Sequence, residues 1–150
     1  MMHSLADNVF NWPAVLLGGT IMLVCLVVQA GFVVAVMTVA KSWIRILVAG
    51  KKMARAQVVF FLGILVLLLS HLAQIYIWGV AINMAGIVAN VHTALILAGS
   101  TYTTIGFATD TLPQHWQLLL VIMATSGFFG FGWSTSIMFS LSRFLYPMEN

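Results

Sequence analysis

Charge is what this chain has least of. Only 6% of its 150 residues are charged, against roughly 25% in an ordinary soluble domain. The three acids, Asp7, Asp110 and Glu149, stand far apart, so no carboxylate pair is available for acid–base work. No Ser-His-Asp set, His-x-x-x-His zinc pattern or glycine-rich phosphate loop is present either. No catalytic residue is therefore assigned, and the chain reads as a non-enzyme. Cysteine is nearly absent too. Cys25 is single and lies inside an apolar run, which excludes a disulfide framework and a thiol metal site. The six basic residues give a net charge of +3, but five of them fall between Lys41 and Arg55. That placement carries membrane orientation rather than nucleic-acid binding.

What the chain has in abundance is apolar surface. It is 62% hydrophobic with a mean hydropathy of +1.08, and three apolar runs reach the ~20 residues a helix needs to cross hydrocarbon. The first starts at Pro13, a residue suited to a first helical position, and continues to about Ala40. Gly18, Gly19, Ala30, Gly31 and Ala35 offer small surfaces for helix packing, and Gln29 reads as a packing hydrogen bond. The basic segment Lys41–Arg55, with Trp43 among its apolar residues, reads as an interfacial connection. The N-terminus lacks a basic n-region and is not read as a cleavable signal.

The second run spans about Gln57 to Ile82. It carries Ser70, His71 and Gln74, and the last two share a helix face at a spacing of three. Such intramembrane polar residues face protein more often than lipid, so His71 and Gln74 read as interhelical hydrogen-bonding groups ahead of proton or ion sensors. Tyr76 and Trp78 read as an outer aromatic belt. The third run, about Trp116 to Ser142, is interrupted by Gly127, Gly130 and Gly132. Those glycines fit either close packing against a neighbouring helix or a hinge, and the two readings stay open.

Between the second and third runs lies the informative stretch. Asn90 is a candidate N-cap for an apolar segment from Asn90 to Thr103, about half the length of a span. It leads into Thr101-Tyr102-Thr103-Thr104-Ile105-Gly106-Phe107-Ala108-Thr109-Asp110, rich in hydroxyls and backbone. Irregular backbone at membrane depth is tolerated only where protein buries it or where it lines water. A half-helix entering from outside aims the negative end of its dipole at the membrane centre.

Here the chain resembles a known family. Thr104-Ile105-Gly106-Phe107-Ala108 is similar to the TVGYG filter of potassium channels, whose carbonyls replace an ion's hydration shell. Thr93-Ala94-Leu95, Thr101-Tyr102-Thr103-Thr104, Leu112-Pro113 and Phe131-Gly132-Trp133-Ser134-Thr135-Ser136 resemble the surrounding phrases of small bacterial members. The resemblance covers about Phe60 to Phe144. It implies an all-α membrane protein with three transmembrane helices, a re-entrant pore helix and a filter loop, assembled as a homotetramer. Residues 1–56 would be an added N-terminal span with its basic connection, and 57–150 the pore unit of outer helix, pore helix, filter and inner helix.

The implied function is passive cation conduction through a filter of Thr104, Ile105, Gly106, Phe107 and Ala108, ions shedding water to the carbonyls of the first four and to the Thr104 hydroxyl. A monovalent cation, potassium or another, would bind at Thr104, with Thr109 and Asp110 at the pore mouth. No cofactor is implied, and the partners are further copies of the chain, membrane lipid and no nucleic acid. Orientation follows from charge: basic loop and C-terminus cytoplasmic, N-terminus outside, in a bacterial inner membrane. The family places a second glycine where this chain has Ala108, tyrosine where it has Phe107, and an acid where it has Thr109. Those departures imply relaxed selectivity. They also leave open an alternative, a non-conducting scaffold or accessory subunit of a membrane complex.

Overall fold

The computed structural model describes residues 11–108 and 112–146. Among these the chain is all-helical: α1 (Trp12–Ala49), α2 (Met53–Met84), a short α3 (Val91–Tyr102), a 3-10 turn at Gln114–Trp116, and α4 (Gln117–Leu145). Three helical stretches, Trp12–Ala49, Met53–Met84 and Gln114–Leu145, are long and apolar enough to cross a membrane. With apolar residues on every face they have no single stripe to bury, as expected where lipid covers what protein does not.

The first connection differs from its sequence expectation. α1 does not stop near Ala40 but continues for nine further residues to Ala49, and α2 begins at Met53, so the basic segment is mostly helix. Lys41 and Arg45, which read as a boundary, are one turn apart, and each cation lies 4.7 Å from the centroid of the Phe144 ring. That cation–π pairing, together with Ile44 buried at the same level, carries the helix past its first charges.

The residues group into two compact units, one made of the chain up to Leu26 with Gln74–Phe128, the other of Val27–Ala73 with the chain from Phe129 on. In the first, a core of Ile21, Cys25, Trp78, Ile82, Leu97, Tyr102, Leu119 and Met123 surrounds α3. Ala94, Leu97, Ala98 and Tyr102 are its fully buried apolar residues, at helical spacing along one face. Trp78 belongs to this core, fully buried, rather than to an exposed belt; Tyr76, by contrast, is exposed. Glycines bring the helices together. A Cβ on Gly18 would stand 2.9 Å from Leu119 and Ile122 side chains, and one on Gly79 would stand 2.6 Å from Leu95. Such small-residue contacts are the main adhesive between helices in lipid, where apolar burial drives little.

The second unit is built on Val33, Val36, Ala40, Ile44, Leu67, Leu141 and Leu145. It also holds a polar cluster. Ser70 Oγ donates to Gln29 Oε1 at 2.8 Å, Gln29 Nε2 donates to Ser134 Oγ at 2.8 Å, and His71 Nε2 lies 2.9 Å from the same Ser134 oxygen. Three helices are thereby joined at one buried point, each such bond worth about 0.6 kcal/mol in a membrane protein.

Candidate functional site

The site is prepared by α3. Asn90, in extended conformation, caps the helix by accepting from the His92 and Thr93 amides at 2.8 and 3.3 Å, which satisfies two of its orphan donors. With 12 residues, the helix rises only about 18 Å, well short of the ~30 Å hydrocarbon thickness. Its start is pinned, its inner face is buried, and its end is therefore held in place.

That end is closed by its own chain. The Thr103 amide donates to Gly99 O at 3.1 Å, the Thr104 amide to Thr101 O at 2.9 Å, and the Gly106 amide to Ser100 O at 2.9 Å. Thr104 takes the left-handed position after the cap at φ +63°, and Gly106 follows at φ +74°. A residue with a Cβ costs roughly 1–2 kcal/mol in that hand, so Thr104 is a strained position and Gly106 is not. Ile105 and Phe107 keep negative φ, so the sign alternates over four residues.

The threonine hydroxyls at positions 101, 103 and 104 are in different states. Thr101 Oγ1 is buried without a hydrogen-bond partner among the described residues. Thr103 Oγ1 donates to Gly99 O at 2.7 Å. Thr104 is exposed. Ile105 and Phe107 are each 70% exposed, a large apolar pair that the single chain leaves uncovered. Ala108 is half-buried against the core of its unit. Thr109 and Asp110, the expected mouth residues, lie outside the described residues.

One neighbour of this site was hidden in the sequence among three equivalent glycines. A Cβ on Gly127 would fall 1.9 Å from the Tyr102 carbonyl oxygen, so the backbone of α4 presses directly on the last turn of α3. Gly132 has open space around it, and Gly130 is buried; α4 runs unbroken through all three. Beside Gly127, Ser126 Oγ is a second buried hydroxyl without a partner among the described residues. The Gly127 signal could not be read from spacing, since it depends on a contact with Tyr102, about 25 residues away in sequence.

His71 and Gln74 are both buried in α2. His71 pairs with Ser134 as described, and its ring also lies 4.4 Å, centroid to centroid, from Phe131.

No protein-family profile, curated protein or solved structure matches the chain.

Proposed function

We propose that the chain is a passive cation channel of potassium-channel type, built from four copies around the Thr104–Ala108 segment. The observation that carries this reading is the combination at the end of α3. A helix too short to span delivers an exposed backbone run of alternating hand, flanked by two apolar side chains with no cover in one chain. In lipid such a run is tolerated only against protein or water, and four copies around an axis provide both. α3 is then the re-entrant pore helix. Ions shed water to the carbonyls from Thr104 to Phe107 and to the Thr104 hydroxyl, and leave through several weak sites in line.

α4 is the inner helix in this arrangement. Thr125, Phe128, Gly132 and Ser136 recur on one exposed face, with Thr125 Oγ1 and Ser136 Oγ returning their hydrogens to Val121 and Gly132 carbonyls. Each hydroxyl keeps its lone pairs for water or a cation. The basic turn between α1 and α2 and the C-terminus face the cytoplasm, the N-terminus the outside of a bacterial inner membrane.

One observation favours a second reading, a non-conducting scaffold or accessory subunit. The Gly106 amide finds its acceptor, Ser100 O, within the same chain at 2.9 Å, so that part of the loop closes without a partner.

Cation flux into proteoliposomes separates the two. Gly106→Ala is the informative variant because a Cβ there meets nothing within 4 Å but sits at φ +74°. The fold is retained at a local cost of about 1–2 kcal/mol, while flux falls about five- to thirtyfold, the rate equivalent of that strain. Equal flux in wild type and variant, or none in either, sinks the channel reading.

A further inference from the structure

The second unit holds a feature that conduction does not use: an apolar groove of about 410 Å3 between α1 and α2. Ala35, Val39 and Trp43 line it from α1, and Val59, Leu62 and Gly63 from α2. Its floor is shallow because the helices meet closely there. A Cβ on Gly63 would touch Val36 and Ala40 side chains at 3.5 and 3.6 Å. From Ala35 to Trp43 the groove follows α1 for about 12 Å. Its volume lies inside the ~300–1,000 Å3 range of small-ligand sites.

The chain from Lys41 to Arg55, which leads from the groove through the turn between α1 and α2, is strongly basic. Of the five cations there, Lys41 and Arg45 are engaged by the Phe144 ring. Lys51, Lys52 and Arg55 are exposed, and no carboxylate exists among the described residues to neutralise them, since Asp7, Asp110 and Glu149 all lie outside. Arg55 stands one helical turn, about 6 Å of rise, before Val59. The turn is also shaped at a cost. The Lys52 amide donates to Leu47 O at 2.8 Å and the Lys51 amide to Val48 O at 3.0 Å, with Lys51 at φ +56°. This closure ordinarily takes glycine at the left-handed place, and the chain puts a lysine there although Gly50 is adjacent.

We propose that this groove and the Lys51, Lys52 and Arg55 cluster together bind one anionic phospholipid, its acyl chain along the groove and its phosphate against the three cations. A topology anchor needs the charges but no groove, and an acyl-chain rest needs the groove but no charges. The two together select a lipid with net negative charge. The site is independent of conduction and stands or falls apart from it.

Full-length protein in non-ionic micelles is titrated with phosphatidylglycerol or phosphatidylcholine of matched chains, and bound lipid is counted by native mass spectrometry. The anionic lipid is expected to bind at least about tenfold more tightly, since each basic residue near anionic lipid is worth roughly fivefold. Lys51→Gln, Lys52→Gln and Arg55→Gln combined bring that ratio close to one while the protein keeps its helical circular dichroism. Val39→Trp, which fills the exposed groove, weakens both lipids. Equal binding of the two lipids to wild type overturns the proposal, and so does an undiminished ratio in the triple variant. A Val39→Trp protein that retains lipid but changes its oligomeric mass assigns the groove to a second copy instead. The wild-type ratio alone decides the matter should any variant fail to fold.

Discussion

The ends of α2 and α3 share a left-handed residue whose amide bonds three residues back, but differ in that residue and in the longer bond that follows. After Met84 the Gly86 amide donates to Asn83 O at 2.9 Å and the Ile87 amide to Ile82 O at 3.1 Å, with Gly86 at φ +70°. After Tyr102 the left-handed place is held by Thr104 at φ +63°, and the longer bond is made one residue later, by Gly106. At α2 the closure is the glycine-capped motif in its usual form. At α3 the glycine is displaced two positions, a hydroxyl occupies the strained place, and Ile105 and Phe107 are left outward. An end that only turns the chain takes the cheapest residue. An end that keeps threonine at a cost of roughly 1–2 kcal/mol retains something the side chain does.

The two ends differ also in what holds them. Nothing lies within 4 Å of a Cβ on Gly86, whereas one on Gly127 would collide with the Tyr102 carbonyl at 1.9 Å. Gly127→Ala is therefore the substitution with the largest expected effect. The obstacle is backbone at a helix end and cannot rotate away, so the loss reaches about 3 kcal/mol, the upper part of the range for overpacking. Unfolding by denaturing detergent, followed by circular dichroism, measures it. A loss below about 1 kcal/mol would show that α4 does not support the end of α3. Gly132→Ala on the same helix is the control, since its Cβ enters open space.

Gly86→Ala comes next. Its cost is one of backbone hand alone, roughly 1–2 kcal/mol, and it leaves cation flux unchanged because α2's end carries no proposed contact with the ion. The same unfolding assay with parallel flux measurements tests both halves. A fall in flux equal to that of Gly106→Ala would erase the distinction between the two ends.

How much of this was legible beforehand follows the range of each interaction. The three spans announce themselves by length and apolar content, and the Asn90 cap and short α3 by local chemistry, because each signal lies within one helix. The extent of α1 did not. Lys41 and Arg45 look like a membrane boundary until Phe144, about a hundred positions away, is seen beneath them. Gln29 was recognisable as a packing residue, but its acceptor Ser134 Oγ, 105 positions on, was not. Gly127, Gly130 and Gly132 carry identical sequence signals, and only the approach of Tyr102 separates the first. Trp78 has the composition of a belt residue, and its place in the core of the first unit shows only in three dimensions.

The smallest expected effect sharpens the comparison most. Thr104→Gly gives α3 the residue α2 already has at this place. The relief of left-handed strain, roughly 1–2 kcal/mol, is partly offset by the greater freedom of glycine in the unfolded chain, about 0.5–1 kcal/mol. A net gain of about 0–1.5 kcal/mol remains. Stability alone therefore favours glycine at Thr104, as at Gly86. Function on the channel reading opposes it, because the substitution removes the one exposed hydroxyl among Thr101, Thr103 and Thr104 from the proposed cation site. Thr104→Gly is expected to be slightly more stable and less selective between potassium and sodium in reversal-potential measurements, with Thr104→Ser restoring selectivity and losing the gain. A glycine variant with both properties unchanged would mean that the threonine is retained for neither reason, and that the two helix ends differ in sequence without differing in purpose.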